Sequence, residues 1–208
     1  MLLKLCVLHS YYSPSIIIAW NLMIEKKGIY MNLKTLIVGE LKTNCYIIEK
    51  GNSCIIIDPG AQADLIMQNV NPNKKLVGIF VTHSHDDHIG AIRDILAKNT
   101  VPIYSIANLK EGLNKIENFD INVIYNPGHK DDCITLYFEQ EKVMFCGDFI
   151  FKDGIGRIDM EDASPLDMKL SIDKILQYPD DIVLCPGHGP MTKMGDERAN
   201  LNYFKVAI

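Results

Sequence analysis

The sequence predicts a layered α/β sandwich with helices on the outside. Three observations lead there. Short β-like runs dominate each half of the chain, with helical patterns between and after them. One continuous apolar run, Leu76–Thr82, reads as a strand buried on both faces. The chain has 208 residues, which favours one domain with a real core. Elements that are apolar on one face must bury that face, and stacking helices on sheets does so.

The elements follow in order. Leu33–Val38, Cys45–Glu49 and Cys54–Asp58 are short runs rich in Ile, Val and Tyr, separated by Gly/Asn turns, and read as strands. Asp64–Val70 is expected to be a helix stopped before Pro72. After Leu76–Thr82, the spacing of Ile89, Ile92, Ile95 and Leu96 predicts a helix over Ile89–Lys98. Val101–Ser105 reads as a strand and Leu109–Ile116 as a helix. Ile121–Tyr125, Ile134–Phe138 and Val143–Cys146 read as strands. Leu166–Leu176 reads as a helix, Ile182–Leu184 as a strand and Glu197–Val206 as a closing helix.

The first thirty residues read differently. Ile16–Ile24 is apolar but interrupted by Asn21, and a spanning helix needs about 20 apolar residues. Tyr11, Tyr12, Ser13 and Pro14 break the apolar core that a signal peptide requires. Met31 opens a strand-like MNLKTLIV, and the codons for Glu25–Tyr30 would suit a purine-rich ribosome-binding site and spacer. Residues 1–30 are therefore expected to be a mis-annotated or disordered extension, and residues 31–208 the folded domain.

Composition narrows the function. A net charge of −5 with no Lys/Arg block argues against a nucleic-acid partner, because phosphate binding needs clustered positive charge. No membrane partner is expected. The six cysteines contain no CxxC pair, and several sit in apolar runs. Reduced, packed thiols in a cytoplasmic protein are the expectation, Cys133 and Cys146 included.

The chemistry concentrates in Thr82-His83-Ser84-His85-Asp86-Asp87-His88. Side chains two apart in an extended segment project to one side, so His83 and His85 can grip one ion. A turn can then aim Asp87 and His88 at a second point nearby. Pro127-Gly128-His129 and Pro186-Gly187-His188 each follow an apolar strand, as does Asp148 in Cys146-Gly147-Asp148. Strand-end loops are where reactive groups are usually mounted. Taken alone, Asp87 reads equally as a helix N-cap and Asp58 as a turn former. Three histidines and an aspartate within six positions do not read as packing. Imidazole with carboxylate suits zinc, iron or manganese.

His-Ser-His-Asp-Asp-His resembles the H-x-H-x-D-H signature of the metallo-β-lactamase superfamily, and His129, Asp148 and His188 follow in that superfamily's order. The resemblance spans about Met31 to His188. It implies a four-layer αββα sandwich. It implies one ion on His83, His85 and His129, a second on Asp87, His88 and His188, and Asp148 bridging them. Two divalent ions are thus the expected cofactor, zinc by default with iron or manganese admissible. Asp58, in Ile57-Asp58-Pro59-Gly60, is expected to orient a ligand histidine through its other ring nitrogen.

Gly147–Phe151 with Ile155–Asp159 resembles small glyoxalase II-type enzymes, which hydrolyse thioesters. That resemblance implies a metal-bridging hydroxide attacking a carbonyl, with Asp87 orienting it or carrying a proton, and a small-molecule substrate. Arg157 could hold a substrate carboxylate through its planar fork; a surface salt bridge is the plainer reading. β-Lactamases usually carry Cys at the place of Asp148. A persulfide dioxygenase with one iron, and a lactonase or other ester hydrolase, are the alternatives. Oligomeric state is left open. Where the family often reads Pro-Gly-His-Thr-x-Gly-Ser, this chain has Lys130, Asp132 and Cys133 in place of Thr, Gly and Ser. Full-length glyoxalase II has a C-terminal helical domain that binds glutathione; with twenty residues after His188 here, a missing or rebuilt glutathione pocket is expected.

Overall fold

The computed structural model describes residues 18–26 and 29–208. Two six-stranded sheets, each with its own helices, make up two compact units. The α/β class of the sequence reading stands.

The first unit holds the described residues up to Val81, with His85–Tyr104 and Lys115–Phe119. Its sheet runs β1 (Ile18–Lys26), β2 (Ile29–Val38), β3 (Thr43–Lys50), β4 (Ser53–Ile57), β5 (Lys75–Phe80) and β6 (Ile103–Tyr104) in sequence order. β1 to β4 pair antiparallel, while β4, β5 and β6 pair parallel. Helix α1 (Ala63–Asn69) makes the crossover from β4 to β5. Leu36, Cys45, Ile47, Cys54, Ile56 and Ile79 from the strands bury against Ile66 of α1 and Ile95 of α3 (Ile92–Leu96). β4 is buried along its whole length, as its unbroken Cys-Ile-Ile-Ile run demands.

The second unit holds Thr82–Ser84, Ser105–Asn114 and Asp120–Ile208. The second sheet, most of whose residues belong to this unit, has the order β14 (Thr192–Lys193), β13 (Val183–Pro186), β10 (Val143–Gly147), β9 (Ile134–Phe138), β8 (Phe119–Tyr125), β7 (Gly112–Ile116). β10 and β13 pair parallel, with α4 (Pro165–Ile175) between them in sequence. Ser164 caps α4, its hydroxyl accepting from the Asp167 N–H, and Pro165 follows at the first helical position. Met168, Ile172 and Ile175 of α4 and Leu201 of α5 (Met194–Ala207) pack on Ile124, Met144 and Leu184 of the sheet. A small hairpin, β11 (Ile150–Phe151) and β12 (Gly154–Ile155), precedes α4.

Two expectations are corrected. Leu109–Ile116 is not a helix. Its Leu109/Leu113/Ile116 spacing mimics a helical face, but Gly112–Ile116 is β7. Leu113 and Lys115 are exposed, alternating with half-buried neighbours at the period of a strand. Glu117, in left-handed backbone at φ 52°, turns the chain into β8. The helix expected over Ile89–Lys98 is split into α2 (Asp86–Ile89) and α3. At the break stands Gly90, where a Cβ would lie 2.4 Å from the Gly60 carbonyl oxygen. Within the stretch read as an extension, Ile18–Lys26 forms β1 and Ile29–Tyr30 begins β2; residues 1–17 lie outside the described ones.

Candidate metal centre

Most site residues follow the carboxyl ends of parallel strands, while His129 follows β8, which pairs antiparallel with β9. Asp58 follows β4 and His83 follows β5; Asp148 follows β10 and His188 follows β13. In open α/β sheets this end is where ligands bind, because loops there leave the sheet without obstructing it.

In the first unit, His85 stands at the N-terminus of α2 in extended backbone, and the His88 N–H donates to the His85 carbonyl at 2.9 Å. Asp58 holds a left-handed φ of 50°, a conformation that costs a non-glycine residue energy and tends to persist where neighbours enforce it. Here the enforcing contacts are visible. The Asp58 N–H donates to the Phe80 carbonyl at 2.9 Å, and the Ala91 N–H donates to the Pro59 carbonyl at 2.9 Å. Backbone lies directly on backbone: a Cβ on Gly60 would sit 1.5 Å from the Asp87 carbonyl oxygen. So held, Asp58 Oδ2 accepts from His88 Nδ1 at 3.0 Å, with both side chains buried. That bond fixes the tautomer, leaving the Nε2 lone pair for an ion. Thr43 Oγ1 donates to Asp87 Oδ2 at 2.7 Å. Nothing in the sequence reading singled out Thr43, because its partner lies 44 residues away.

In the second unit, His129 Nδ1 donates to the backbone carbonyl of Arg157 at 2.9 Å, again leaving Nε2 for a ligand. A Cβ on Gly156 would fall 1.8 Å from the Asp148 carbonyl oxygen and 3.0 Å from His129 Cβ, so this turn also needs glycine. The His83 and His129 rings meet edge-on with centroids 5.2 Å apart. Phe151 of β11 stands against His188, its ring centroid 6.2 Å away. The Arg157 guanidinium does not enter the site; it is exposed and forks onto Asp159 at 2.9 and 3.2 Å. Cys133 and Cys146 are buried, and burial pushes the Cys146 thiol up to about 12. Burial raises Cys133, Cys45 and Cys185 as well. None of these thiols is a ready nucleophile or ligand.

The donor atoms collect into three overlapping sets: His83, His85 and His129; His83, His88 and Asp148; Asp87, His88 and His188. Within each set the ligand atoms lie within 4.8 Å of one another. Asp148 Oδ2 lies 3.6 Å from His129 Nε2 and 3.4 Å from His188 Nε2. Asp87 Oδ2 lies 3.6 Å from His88 Nε2. These separations are longer than a strong charge-assisted hydrogen bond. They match the edge of a tetrahedron around an ion with bonds near 2.1 Å, about 3.4 Å. The donors therefore fit a metal, and the cluster is a metal-binding one. All seven residues expected as ligands fall in these sets. Among the described residues, no helix is long and apolar enough to cross a membrane.

Comparison with known proteins agrees. The family model "Metallo-beta-lactamase superfamily" matches residues 38–117 and 106–188. The hydroxyacylglutathione hydrolase GloC of Haemophilus influenzae is 28% identical over 81% of this chain and 95% of its own length. The crystal structure of the BLEG-1 B3 metallo-beta-lactamase superposes with a TM-score of 0.76 at 27% identity, covering 83% of this chain and 99% of that one. The crystal structure of TTHA1623 in a di-iron-bound form gives 0.71 at 26% identity, covering 78% and 96%. The chain belongs to the metallo-β-lactamase superfamily.

Proposed function

We propose that this protein hydrolyses a thioester or ester of a small carboxylic acid, as glyoxalase II-type enzymes do, using two divalent ions. One observation carries the reading: a single oxygen, Asp148 Oδ2, lies within 3.6 Å of His129 Nε2 and 3.4 Å of His188 Nε2, which belong to different donor sets. A carboxylate so placed is suited to bridge two ions. The similarity to GloC, over nearly the whole of that hydrolase, supports the thioester class.

His83, His85 and His129 would hold one ion, Asp87, His88 and His188 the other, with Asp148 shared. Bound there, such ions lower the pKa of water towards 7 and polarise a carbonyl oxygen. The chain supplies the rest. Asp58 and the Arg157 carbonyl lock two imidazoles so that each offers Nε2. Asp87 keeps 22% exposure on its side chain while Thr43 steadies one oxygen. That suits it to take a proton from the attacking water and return it to the leaving thiolate. Zinc is the first choice of metal for a His/Asp donor set. The di-iron form of TTHA1623 makes iron the next.

The test is metal analysis of the purified protein combined with a panel of thioesters, esters, lactones, persulfides and a chromogenic β-lactam. Two ions per chain with thioester turnover are expected. No turnover of any thioester, ester or lactone by protein loaded with zinc, iron or manganese would overturn the reading. So would one iron per chain with oxygen-dependent consumption of persulfide. We infer a cytoplasmic enzyme with a small-molecule substrate, in keeping with its reduced, buried thiols.

A further inference from the structure

We propose that Asp132 is a positioning residue that sets the His83–Ser84–His85 segment for its ion. Asp132 Oδ2 accepts the Ser84 N–H at 3.1 Å, and Ser84 is the residue between the two histidines. The peptide plane joining His83 to Ser84 is rigid, so fixing its N–H restrains ψ of His83 and φ of Ser84 together. Those two angles decide whether the flanking imidazoles point to one place.

Asp132 reaches this amide from a loop that is itself tied down. The Cys133 N–H donates to the Lys130 carbonyl at 3.4 Å, and the Gly128 N–H donates to the same carbonyl at 3.3 Å. Lys130 Nζ lies 3.0 Å from Asp162 and 3.3 Å from Asp131. Cys133 is packed into the core directly after Asp132. The other carboxylate oxygen, Asp132 Oδ1, is buried with no hydrogen-bond partner, which carries a desolvation cost. A glycine at this position would have no side chain to reach the amide. A half-buried acid held at that cost beside two ligands is explained by the one bond it makes. In this chain the chelating segment is held by a side chain from the His129 loop.

The inference rests on reading His83 and His85 as ligands, and the experiment separates the two claims. Zinc affinity is measured by chelator competition for the wild type, Asp132→Gly and Asp132→Asn. Exchange of the Ser84 amide proton is followed in the metal-free proteins. Asparagine keeps an acceptor oxygen but no charge. Asp132→Gly should bind zinc about tenfold more weakly, as loss of a ligand-orienting contact usually does, and should unprotect Ser84. Asp132→Asn should stay within about threefold of wild type and keep the protection. Wild-type affinity in Asp132→Gly, equal weakening in both variants, or an unprotected Ser84 amide in the wild type would each overturn the positioning role. The amide reading stands even if Asp132→Gly fails to fold. A wild type that binds no zinc, iron or manganese would instead sink the functional reading, and the positioning role with it.

Discussion

The parallel pairs β4/β5 and β10/β13 are built alike and hold their histidines differently. Each pair is joined through a helix, and each unit has a glycine-dependent turn beside site residues, at Gly60 after β4 and at Gly156 after β12. Beyond β4/β5, His88 is oriented by a side chain, the Asp58 carboxylate. In the unit of β10/β13, His129 is oriented by main chain, the Arg157 carbonyl. A carboxylate adds negative charge to the ring it holds and raises its basicity, whereas a carbonyl adds only a dipole. The first arrangement is erased by one substitution. The second survives any replacement of Arg157 that leaves the turn intact.

The largest expected effect tests what both arrangements serve. Asp148→Ala removes the oxygen shared by His129 and His188. Turnover should fall by about a thousandfold, on the order of 4 kcal/mol of lost charge stabilisation. Metal analysis should show that the second ion no longer binds at wild-type affinity. Two ions retained with unchanged affinity would remove Asp148 from the bridging role.

Next come the two turns. Gly60→Ala and Gly156→Ala would drive a Cβ to within 1.5 Å and 1.8 Å of a carbonyl oxygen. Backbone cannot swing aside as a flexible side chain does, so each should cost about 3 kcal/mol or more, read by urea unfolding of the metal-free protein. If one variant is tolerated and the other is not, the two turns are not equivalent, and the comparison above fails at its base.

How much of this was legible in the sequence depended on whether the signal was local. The strand Ile134–Phe138 emerges where the sequence places it, since a short run of Ile, Thr, Leu, Tyr and Phe suits a strand, and all five residues are buried. The seven expected ligands are readable because they cluster beside turns and strand ends, and both are local patterns. Thr43, the Arg157 carbonyl and Asp132 are not readable, because each acts on a partner 28 to 48 residues distant. A main-chain acceptor leaves no mark on residue type at all. Leu109–Ile116 fails for a related reason. Its apolar spacing fits a helix, and only pairing with β8 decides for a strand.

Asp58→Ala should act at an intermediate level. Without its acceptor, the His88 ring can rotate and change tautomer, and an ion bound through Nε2 should be held about 10- to 100-fold more weakly. The loss should be confined to one of the two ions, read by stepwise chelator titration. Equal weakening of both would mean that Asp58 shapes the whole loop and does not merely orient one ring.

The smallest effect is the sharpest contrast. Arg157→Ala keeps the carbonyl that holds His129 and discards only an exposed guanidinium paired with Asp159. Exposed ion pairs are screened by solvent and contribute little, so metal affinity and kcat should stay within about twofold of wild type. The substitution asks a second question at no extra cost. Were the guanidinium to leave Asp159 and grip an anionic substrate, KM would rise about tenfold or more while kcat and metal binding held steady. A flat KM assigns Arg157 to the main-chain scaffold alone. A raised KM makes the same residue serve His129 through its backbone and the substrate through its side chain, which His88 and Asp58 have no means to match.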